Sequence, residues 1–313
     1  MLARLQQVIT LSLLATSLGW LAWFYNSAPW LAVLGCLLIA LGYIGCLGIE
    51  FLLLRHINKT DPAPLATPVE LLQAWLGETL VAPCIFCWRQ PFRHRAIADN
   101  LAPKGVVAGQ RGVVFIHGFF CNRGFWNPWL KRLQGSGHAF VALSLEPVFG
   151  SIDDYTPQIE AAVQRVTQAT GLPPLLVCHS MGGLAARAWL QTMRADSAVH
   201  HIVTIGTPHQ GTWLARFSRS LNGQQMRLAS DWQAQLDVGM PAGRRALFTC
   251  WYSSSDNIVF PTTSATLTGA DNRLIRGKAH VQMAFAPQLV KSTLAMLQTG
   301  RKQGLPTVRS LHL

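Results

Sequence analysis

The sequence predicts an α/β fold with a mostly parallel central sheet, preceded by two transmembrane helices. One observation is that the surplus of apolar residues lies in the first fifth of the chain, where Val8 to Leu54 contains a single charged residue, Glu50. Another is that short apolar runs alternate with stretches of helical periodicity from Arg111 onward. Such alternation is typical of βαβ units, whose strands pair in parallel. At 313 residues and 50% hydrophobic composition, the chain is long enough for both parts.

The apolar N-terminal region divides into two segments. Val8 to Phe24 is apolar over about 17 residues, near the lower limit for crossing a bilayer, and Trp30 to Leu54 over about 25. Because the link between them carries no charge, the two segments predict a helical hairpin over residues 1–58. A signal peptide is the alternative for the first segment, since Arg4 supplies a positive start. No convincing small-residue cleavage site follows, and the second apolar segment comes almost at once.

The charges beside these segments predict which side of the membrane the chain occupies. Arg4 precedes the first segment, whereas Arg55 and Lys59 follow the second. Positive residues stay on the cytoplasmic side, so both ends of the hairpin and everything after residue 55 are predicted to be cytoplasmic. The formal net charge of +12 suggests an anionic partner. Because clustered Lys/Arg runs and aromatic RNA-binding motifs are not found, an anionic lipid surface is favoured over nucleic acid.

The seven cysteines predict neither a disulfide framework nor a metal site. Their number is odd and their spacings form no regular pattern. Cys84 and Cys87 have the spacing of a zinc-binding pair, but apolar residues separate them and no second pair follows to complete four ligands. We therefore expect no metal site.

Residues 59–110 are predicted to connect the hairpin to a soluble domain over residues 111–300, which a tail follows over residues 301–313. A proline-rich linker, Thr60 to Pro64, leaves the membrane. Val69 to Leu80 predicts an amphipathic helix, either on the membrane surface or against the domain. The predicted strands are 112–116, 139–145, 174–178, 201–205 and 247–253, and the predicted helices are 125–133, 152–170, 182–194 and 282–297. Residues 212–245 break the alternation and are expected to form a cap.

The segment Leu175 to Gly183 contains the pattern that is most informative about chemistry. An apolar strand runs directly into Ser180, and a helix follows. A nucleophilic serine on such a turn needs small neighbours two positions away, and the turn exposes its hydroxyl near a helix N-terminus. Gly182 meets this requirement, and Cys178 replaces the usual upstream glycine but is small enough to fit. Ser180 alone could be an ordinary helix cap, so a nucleophilic role depends on its partners.

Two further segments complete the pattern of a known family. Val113 to Phe119 is a predicted strand ending in His-Gly-Phe, and Ile205 to Thr212 reads Ile-Gly-Thr-Pro-His-Gln-Gly-Thr. With the His-Ser-Met-Gly-Gly turn, these motifs make residues 111–298 similar to the bacterial lipase and esterase branch of the α/β-hydrolase superfamily. The resemblance implies an α/β-hydrolase fold with a cap insertion. It also implies that the backbone N–H groups of Phe119 and Met181 stabilise an oxyanion. It does not cover the hairpin, which is predicted to anchor the chain in a bacterial inner membrane.

The general base must reach the serine and be held by a carboxylate. In this fold the chain order is Ser, then Asp or Glu, then His. His280 lies in a loop after the last predicted strand, where the family places its base, and it is favoured over His209 of the Gly-Thr-Pro-His segment. His117, which precedes the oxyanion turn, is expected to orient that turn.

The carboxylate partner of the base is predicted to be Asp256. It comes just past a predicted strand and is followed by an apolar run and a proline, which matches the acid loop of the family. The rivals are Asp231, Asp237 and Asp271. Asp271 lies in a predicted turn, where aspartate is frequent for local hydrogen bonding.

The resemblance implies hydrolysis of a carboxylic ester through an acyl-enzyme, with no cofactor. Phe120, Phe125 and Trp126 lie close to the oxyanion turn and could bind an acyl chain or pack in the core. Anchoring to a bilayer favours a lipid or another hydrophobic ester as substrate. The alternatives are acyl transfer or amide cleavage with the same triad, and a catalytically inactive membrane scaffold.

Overall fold

The structure, a computed structural model, describes residues 1–102, 109–194 and 196–297. The strands are β1 Val113–Ile116, β2 Phe140–Ala142, β3 Leu175–His179, β4 His201–Ile205, β5 Phe248–Tyr252 and β6 Asp271–Leu274. The helices are α1 Leu2–Phe24, α2 Pro29–Ile57, α3 Pro68–Pro83, α4 Gln90–Phe92, α5 Asn127–Leu133, α6 Thr156–Thr170, α7 Met181–Met193, α8 Leu221–Gln225, α9 Asp231–Val238, α10 Ala242–Arg245, α11 His280–Met283 and α12 Pro287–Met296. The predicted α/β fold class is confirmed.

The strands form one sheet in the order β2-β1-β3-β4-β5-β6, and each neighbouring pair is parallel. Ile116 lies opposite Cys178, and His179 lies opposite Ile205. Since parallel strands end at the same edge of a sheet, the residues that follow β1, β3, β5 and β6 are brought together there. The strand order changes direction between β1 and β3, which is where open α/β sheets usually bind ligands.

Both faces of the sheet are covered, because successive side chains of a strand point to opposite faces. Val114 and Leu176 belong to a buried cluster that includes residues of α6 and α7. Val113 and Leu175, one residue away, belong to another cluster that includes residues of α5 and α12. Burial on both faces explains why these strands are continuous apolar runs without polar alternation.

The N-terminal helices extend from this domain. The hairpin of α1 and α2 keeps most of its apolar side chains exposed, and the Trp20 indole donates a hydrogen bond to the Leu31 carbonyl across it at 2.9 Å. Both helices are long and apolar enough to cross a membrane, and so is a third segment, Pro68–Phe92. The sequence predicts the first two of these segments as spans, and the third meets the same criteria of length and apolar composition. The third segment is long because a π-helical turn, Cys84–Arg89, joins α3 to α4.

The helix α3 packs against the domain along one face and leaves apolar side chains exposed on the other. Ala74 and Glu78 are buried, and Ala74 packs in a cluster with Leu54 of α2 and Phe260 of the domain. The opposite face keeps a row of leucines exposed, which are Leu72, Leu76 and Leu80. The helix therefore lies against the domain and presents an apolar stripe outward.

Several predicted elements have different bounds in the structure. Asp271–Leu274 is an edge strand, whereas the sequence predicts a turn at Asp271. The prediction is wrong because the polar, partly exposed residues of this strand lack the apolar signature of a buried strand. The predicted strand 139–145 is β2 alone, and the predicted helix 282–297 divides into α11 and α12. Residues 212–245 hold a 3₁₀ helix, Trp213–Phe217, followed by α8, α9 and α10. The tail, 301–313, lies outside the described residues.

Candidate active site

Ser180 occupies the turn between β3 and α7. Its φ of 53° and ψ of −128° are strained for a residue with a side chain. The turn is held because the Ser180 N–H donates to the Ile205 carbonyl at 2.8 Å and the Thr207 hydroxyl donates to the Ser180 carbonyl at 2.9 Å. A Cβ on Gly182 would lie 2.5 Å from the Ile116 carbonyl oxygen. Glycine is therefore needed for α7 to begin this close to β1.

His280 and Asp256 form a buried imidazole–carboxylate pair at the same edge of the sheet. The Nδ1 atom of His280 lies 3.0 Å from each carboxylate oxygen of Asp256. The Asp256 Oδ1 atom also accepts the backbone N–H groups of Ile258 at 3.0 Å and Val259 at 2.9 Å, which fixes the carboxylate. With Nδ1–H donating to Asp256, the Nε2 atom is left to accept a proton.

The protonation of His280 is governed by two opposing effects. Burial lowers the pKa of the imidazole, because it disfavours the charged form. The negative charge and the hydrogen bond of Asp256 outweigh burial, so the pKa of His280 is raised above its ordinary value. The acidic side chains of Glu78 and Glu50 act in the same direction as Asp256.

His179 brings the base close to the serine. Its Nε2–H donates to the His280 carbonyl at 3.2 Å, and the two ring centroids are 4.6 Å apart. His179, the residue directly before Ser180, is therefore linked to the base. Among the described residues no hydrogen bond joins Ser180 Oγ to the His280 ring, an arrangement that is common before a substrate binds.

The proposed oxyanion donors are two backbone N–H groups, and His117 fixes the peptide that contains one of them. The Leu145 N–H donates to His117 Nε2 at 2.9 Å, so Nδ1 carries the ring hydrogen and donates to the Gly118 carbonyl at 2.8 Å. Burial lowers the pKa of His117 to about 4, which keeps the ring neutral. Because a trans peptide is planar, the Phe119 N–H points away from that carbonyl. No acceptor in the described chain takes this N–H, and Met181, as the first residue of α7, has no intrahelical acceptor.

Ser180 lines a mostly apolar cavity of about 170 Å³. Its walls come from the oxyanion turn, from the cap and from the acid loop, and include Phe119, Ala215, Met226 and Val259. The 3₁₀ helix and α8 of the cap therefore cover the serine, while the loop after β5 supplies both the carboxylate and part of the apolar wall. The site can hold a hydrocarbon chain next to a hydroxyl group.

The aromatic residues predicted to bind substrate do not share one environment. Phe125 and Trp126 are 0% exposed. The Phe125 ring stacks on His179 at 4.5 Å between centroids, and Trp126 packs on Phe115 at 5.0 Å. Neither residue lines the cavity, so their assignment to substrate binding is corrected to core packing. They close the 3₁₀ turn Arg123–Trp126 that leads into α5, and they belong to the same buried cluster as residues of α5 and the sheet.

Phe120 is the remaining aromatic candidate. It does not line the cavity, but its ring contacts that of Phe119, which does. It is half-buried and forms an aromatic patch with Phe119 and Phe149, with centroid distances of 6.4 to 6.5 Å from Phe120. The patch is next to α1, because the Gln6 side chain donates to the Phe120 carbonyl at 3.2 Å.

The rivals for the base and the acid lie elsewhere. His209 is buried, with its Nε2 atom 3.1 Å from the Thr204 hydroxyl, and burial holds its pKa well below the ordinary value. Asp237 is paired with the buried Arg187, which ties α9 to α7. Asp231 begins α9, and Asp271 is ion-paired on the edge strand β6. None of these groups contacts the His280 ring.

Two further carboxylates contact the residues next to His280 and Asp256. The sequence predicts no role for either of them. Glu78 of α3 and Glu50 of α2 reach the loops of the imidazole–carboxylate pair. The signal for Glu50 was its isolation in an apolar segment, whereas nothing marked Glu78 except its place on the less apolar side of a helix. Within the described residues no group of three or more His, Cys, Asp or Glu side chains could hold a metal ion.

The sheet order, the strained serine after β3 and the acid loop after β5 define a protein of the α/β-hydrolase class. The sequence model of the alpha/beta hydrolase family matches residues 113–300. The chain therefore belongs to this family, as its motifs indicated. The match begins at β1, so the N-terminal helices lie outside it.

Solved structures share this fold at low sequence identity. The mature form of a lipase from Bacillus licheniformis aligns with a TM-score of 0.55 and 16% identity, over 63% of this chain and 95% of that one. Lipase B of Aspergillus fumigatus aligns with a TM-score of 0.52 and 19% identity, over 60% of this chain and 53% of that one. At such identities the likeness shows the fold alone.

Proposed function

We propose that this protein is a membrane-anchored serine hydrolase that cleaves carboxylic esters of hydrophobic acyl chains, with Ser180, Asp256 and His280 as its triad. The observation that carries the proposal is a mostly apolar cavity lined by a strained serine, together with a buried imidazole–carboxylate pair at the same edge of the sheet. A hydroxyl that lines an apolar cavity suits a carbonyl attached to a hydrocarbon chain. The names of the two aligned structures, both lipases, agree with this class of substrate.

In the proposed reaction, His280 Nε2 takes the proton of Ser180 as Oγ attacks the ester carbonyl carbon. The resulting oxyanion accepts hydrogen bonds from the N–H groups of Phe119 and Met181. When the intermediate collapses, His280 gives its proton to the leaving alcohol, and the acyl group stays on Ser180. Water, deprotonated by His280, then releases the acid and restores the serine. Asp256 holds the Nδ1–H tautomer and balances the charge of the imidazolium.

The size of the cavity limits which part of the substrate it holds. Typical pockets for small ligands measure roughly 300–1,000 Å³, whereas this cavity measures about 170 Å³. It therefore suits one acyl chain of modest length. The alcohol part of the ester would remain at the mouth, near the aromatic patch of Phe119, Phe120 and Phe149.

The hairpin of α1 and α2 is proposed to anchor the enzyme in the bilayer. The start of α1 contacts the domain through the bond of Gln6 to the Phe120 carbonyl, and the end of α2 contacts it through Asn58, which donates to the Thr262 hydroxyl at 2.8 Å. Both ends of the hairpin thus contact the domain and lie on the same side of the membrane as it does, in agreement with the positive residues Arg4 and Arg55. We propose that this side is the cytoplasm.

Orientation can be tested with reporters fused after Leu313. A reporter that works only in the cytoplasm should be active, and one that works only in the periplasm should be inactive. The opposite pattern would contradict the cytoplasmic assignment and leave the enzymatic proposal untouched.

Activity can be tested on p-nitrophenyl esters of increasing acyl length, with membranes that contain the wild type or Ser180→Ala. The wild type should hydrolyse short and medium chains, and the variant should fall to the background of membranes without the protein. Added alcohols that divert product from acid to a new ester would favour acyl transfer. A folded wild type that cleaves no ester would contradict the proposal and favour an inactive scaffold.

A further inference from the structure

Glu50 is a charged residue where the surrounding helix is apolar. It is the single charged residue between Val8 and Leu54, and it lies on a helix long and apolar enough to span a membrane. An ionisable residue in such a helix is costly, and its partner usually reveals its role. The Oε2 atom of Glu50 accepts a hydrogen bond from Asn257 Nδ2 at 2.6 Å.

Asn257 is hydrogen-bonded to the base as well as to Glu50. It directly follows Asp256, and it is 1% exposed. While its Nδ2 donates to Glu50, its Oδ1 atom accepts the backbone N–H of His280 at 3.2 Å. One buried amide therefore joins α2, the acid loop and the base.

Glu78 supports the residues that follow the base. Its Oε1 atom accepts the N–H of Val281 at 3.0 Å, and its Oε2 atom accepts the N–H of Gln282 at 2.9 Å. The Glu78 side chain is buried where α3 meets α11. A buried carboxylate is costly unless it is hydrogen-bonded, so both of its oxygens are committed to the backbone next to His280.

The acid loop has further contacts with the same N-terminal region. Asn58, at the end of α2, accepts the Thr262 N–H at 3.1 Å as well as donating to its hydroxyl. Asp61, in the linker, accepts the Thr263 N–H at 3.1 Å and the Thr263 hydroxyl at 2.6 Å. The loop that supplies the carboxylate is thus supported from outside by residues about 200 positions earlier in the chain.

We propose that Glu50 and Glu78 are positioning residues for His280, so that the N-terminal helices form part of the active site as well as the anchor. The inference rests on the proposed function, because it assigns to these carboxylates the placement of the base in that reaction. Neither carboxylate contacts the substrate cavity. Their role is to fix Asn257 and the backbone on either side of the imidazole.

The test uses the full chain in membranes, with the variants Glu50→Leu and Glu50→Gln assayed on a short soluble ester. Glutamine keeps an oxygen that accepts from Asn257, so kcat should stay within about threefold of the wild type. Leucine removes the acceptor, and kcat should fall about 10- to 100-fold with KM unchanged, because a displacement of about 1 Å at a catalytic group costs up to ~10²-fold. Leucine also removes a charge from an apolar helix, so weaker membrane insertion would not explain the loss.

A packing control separates positioning from simple support of the fold. Leu54, one turn further along α2, is buried in a cluster with Ala74 and Phe260, and its side chain has no group that could hydrogen-bond to Asn257. Leu54→Ala should lower Tm. Its kcat should equal that of the wild type when the concentration of active enzyme is counted by fluorophosphonate labelling.

Three results would overturn the inference. Wild-type kcat in Glu50→Leu would show that the contact with Asn257 is not needed. An equal loss of kcat in Leu54→Ala would reduce Glu50 to a packing residue. A folded wild type that neither hydrolyses esters nor reacts with the fluorophosphonate would refute the proposed function, and the inference with it.

Discussion

Replacing Asp256 by asparagine should separate the chemistry of the site from its stability. In the wild type, Asp256 accepts the N–H groups of Ile258 and Val259 and the Nδ1–H of His280. An asparagine oxygen can still accept both backbone N–H groups. Its amide group, however, turns a donor toward Nδ1, which favours the tautomer with the hydrogen on Nε2. That tautomer cannot take the proton of Ser180.

The expected magnitudes follow from these contacts. The wrong tautomer in a triad lowers kcat about 10⁴-fold, which corresponds to roughly 5.5 kcal/mol of activation free energy. The free energy of unfolding should change far less in Asp256→Asn, because the backbone donors keep their acceptor. Asp256→Ala would leave two buried N–H groups unpaired at about 1–3 kcal/mol each, a large part of the roughly 5–15 kcal/mol that stabilises a typical domain.

The assay measures kcat on a short ester together with Tm of the purified protein in detergent. Asp256→Asn should be nearly inactive at close to the wild-type Tm, whereas Asp256→Ala should be inactive and less stable. Asp271→Asn is the matched control, because Asp271 is the rival acid and lies on the exposed edge strand. Activity within tenfold of the wild type in Asp256→Asn, or a comparable loss in Asp271→Asn, would refute the assignment.

Three further predictions concern the pH profile, the elbow and the cavity. The pKa of His280 is raised above 6.5, and only the neutral imidazole accepts a proton. We therefore expect kcat/KM to decline as the pH is lowered, with the midpoint of the decline above pH 6.5. A midpoint below pH 6 would contradict this. Gly182→Ala should destabilise the fold by about 1–3 kcal/mol, measured as a lower Tm, because its Cβ would press on the Ile116 carbonyl. Met226→Trp should fill the cavity and shift hydrolysis toward shorter esters, and an unchanged chain-length profile would place the acyl chain elsewhere.

Much of the fold could be predicted because the parallel strands are buried on both faces. Runs such as Leu175 to Cys178 are continuous apolar segments, and the turn that follows requires a small residue at Gly182. Chain order then narrowed the candidates for the acid and the base, and the structure brings His280 and Asp256 into contact. Cys178, which stands where the usual motif has glycine, fits because its side chain packs inside the core.

The remaining features depend on contacts between distant parts of the chain. The edge strand at Asp271 is polar and paired on one side, so its local pattern is that of a turn. An aromatic residue such as Phe125 suits a substrate site and a core equally well, and only the direction of its helix decides between them. The role of Glu50 depends on a partner 207 positions away. No local pattern contains that information.

Whether Ser180 is an activated nucleophile can be measured by fluorophosphonate labelling of membranes that contain the full chain, followed by mass spectrometry of the labelled peptide. We expect an adduct on Ser180 in the wild type and no adduct in Ser180→Ala. An adduct on another residue, or no reaction by a folded wild type, would contradict the claim that Ser180 is an activated nucleophile.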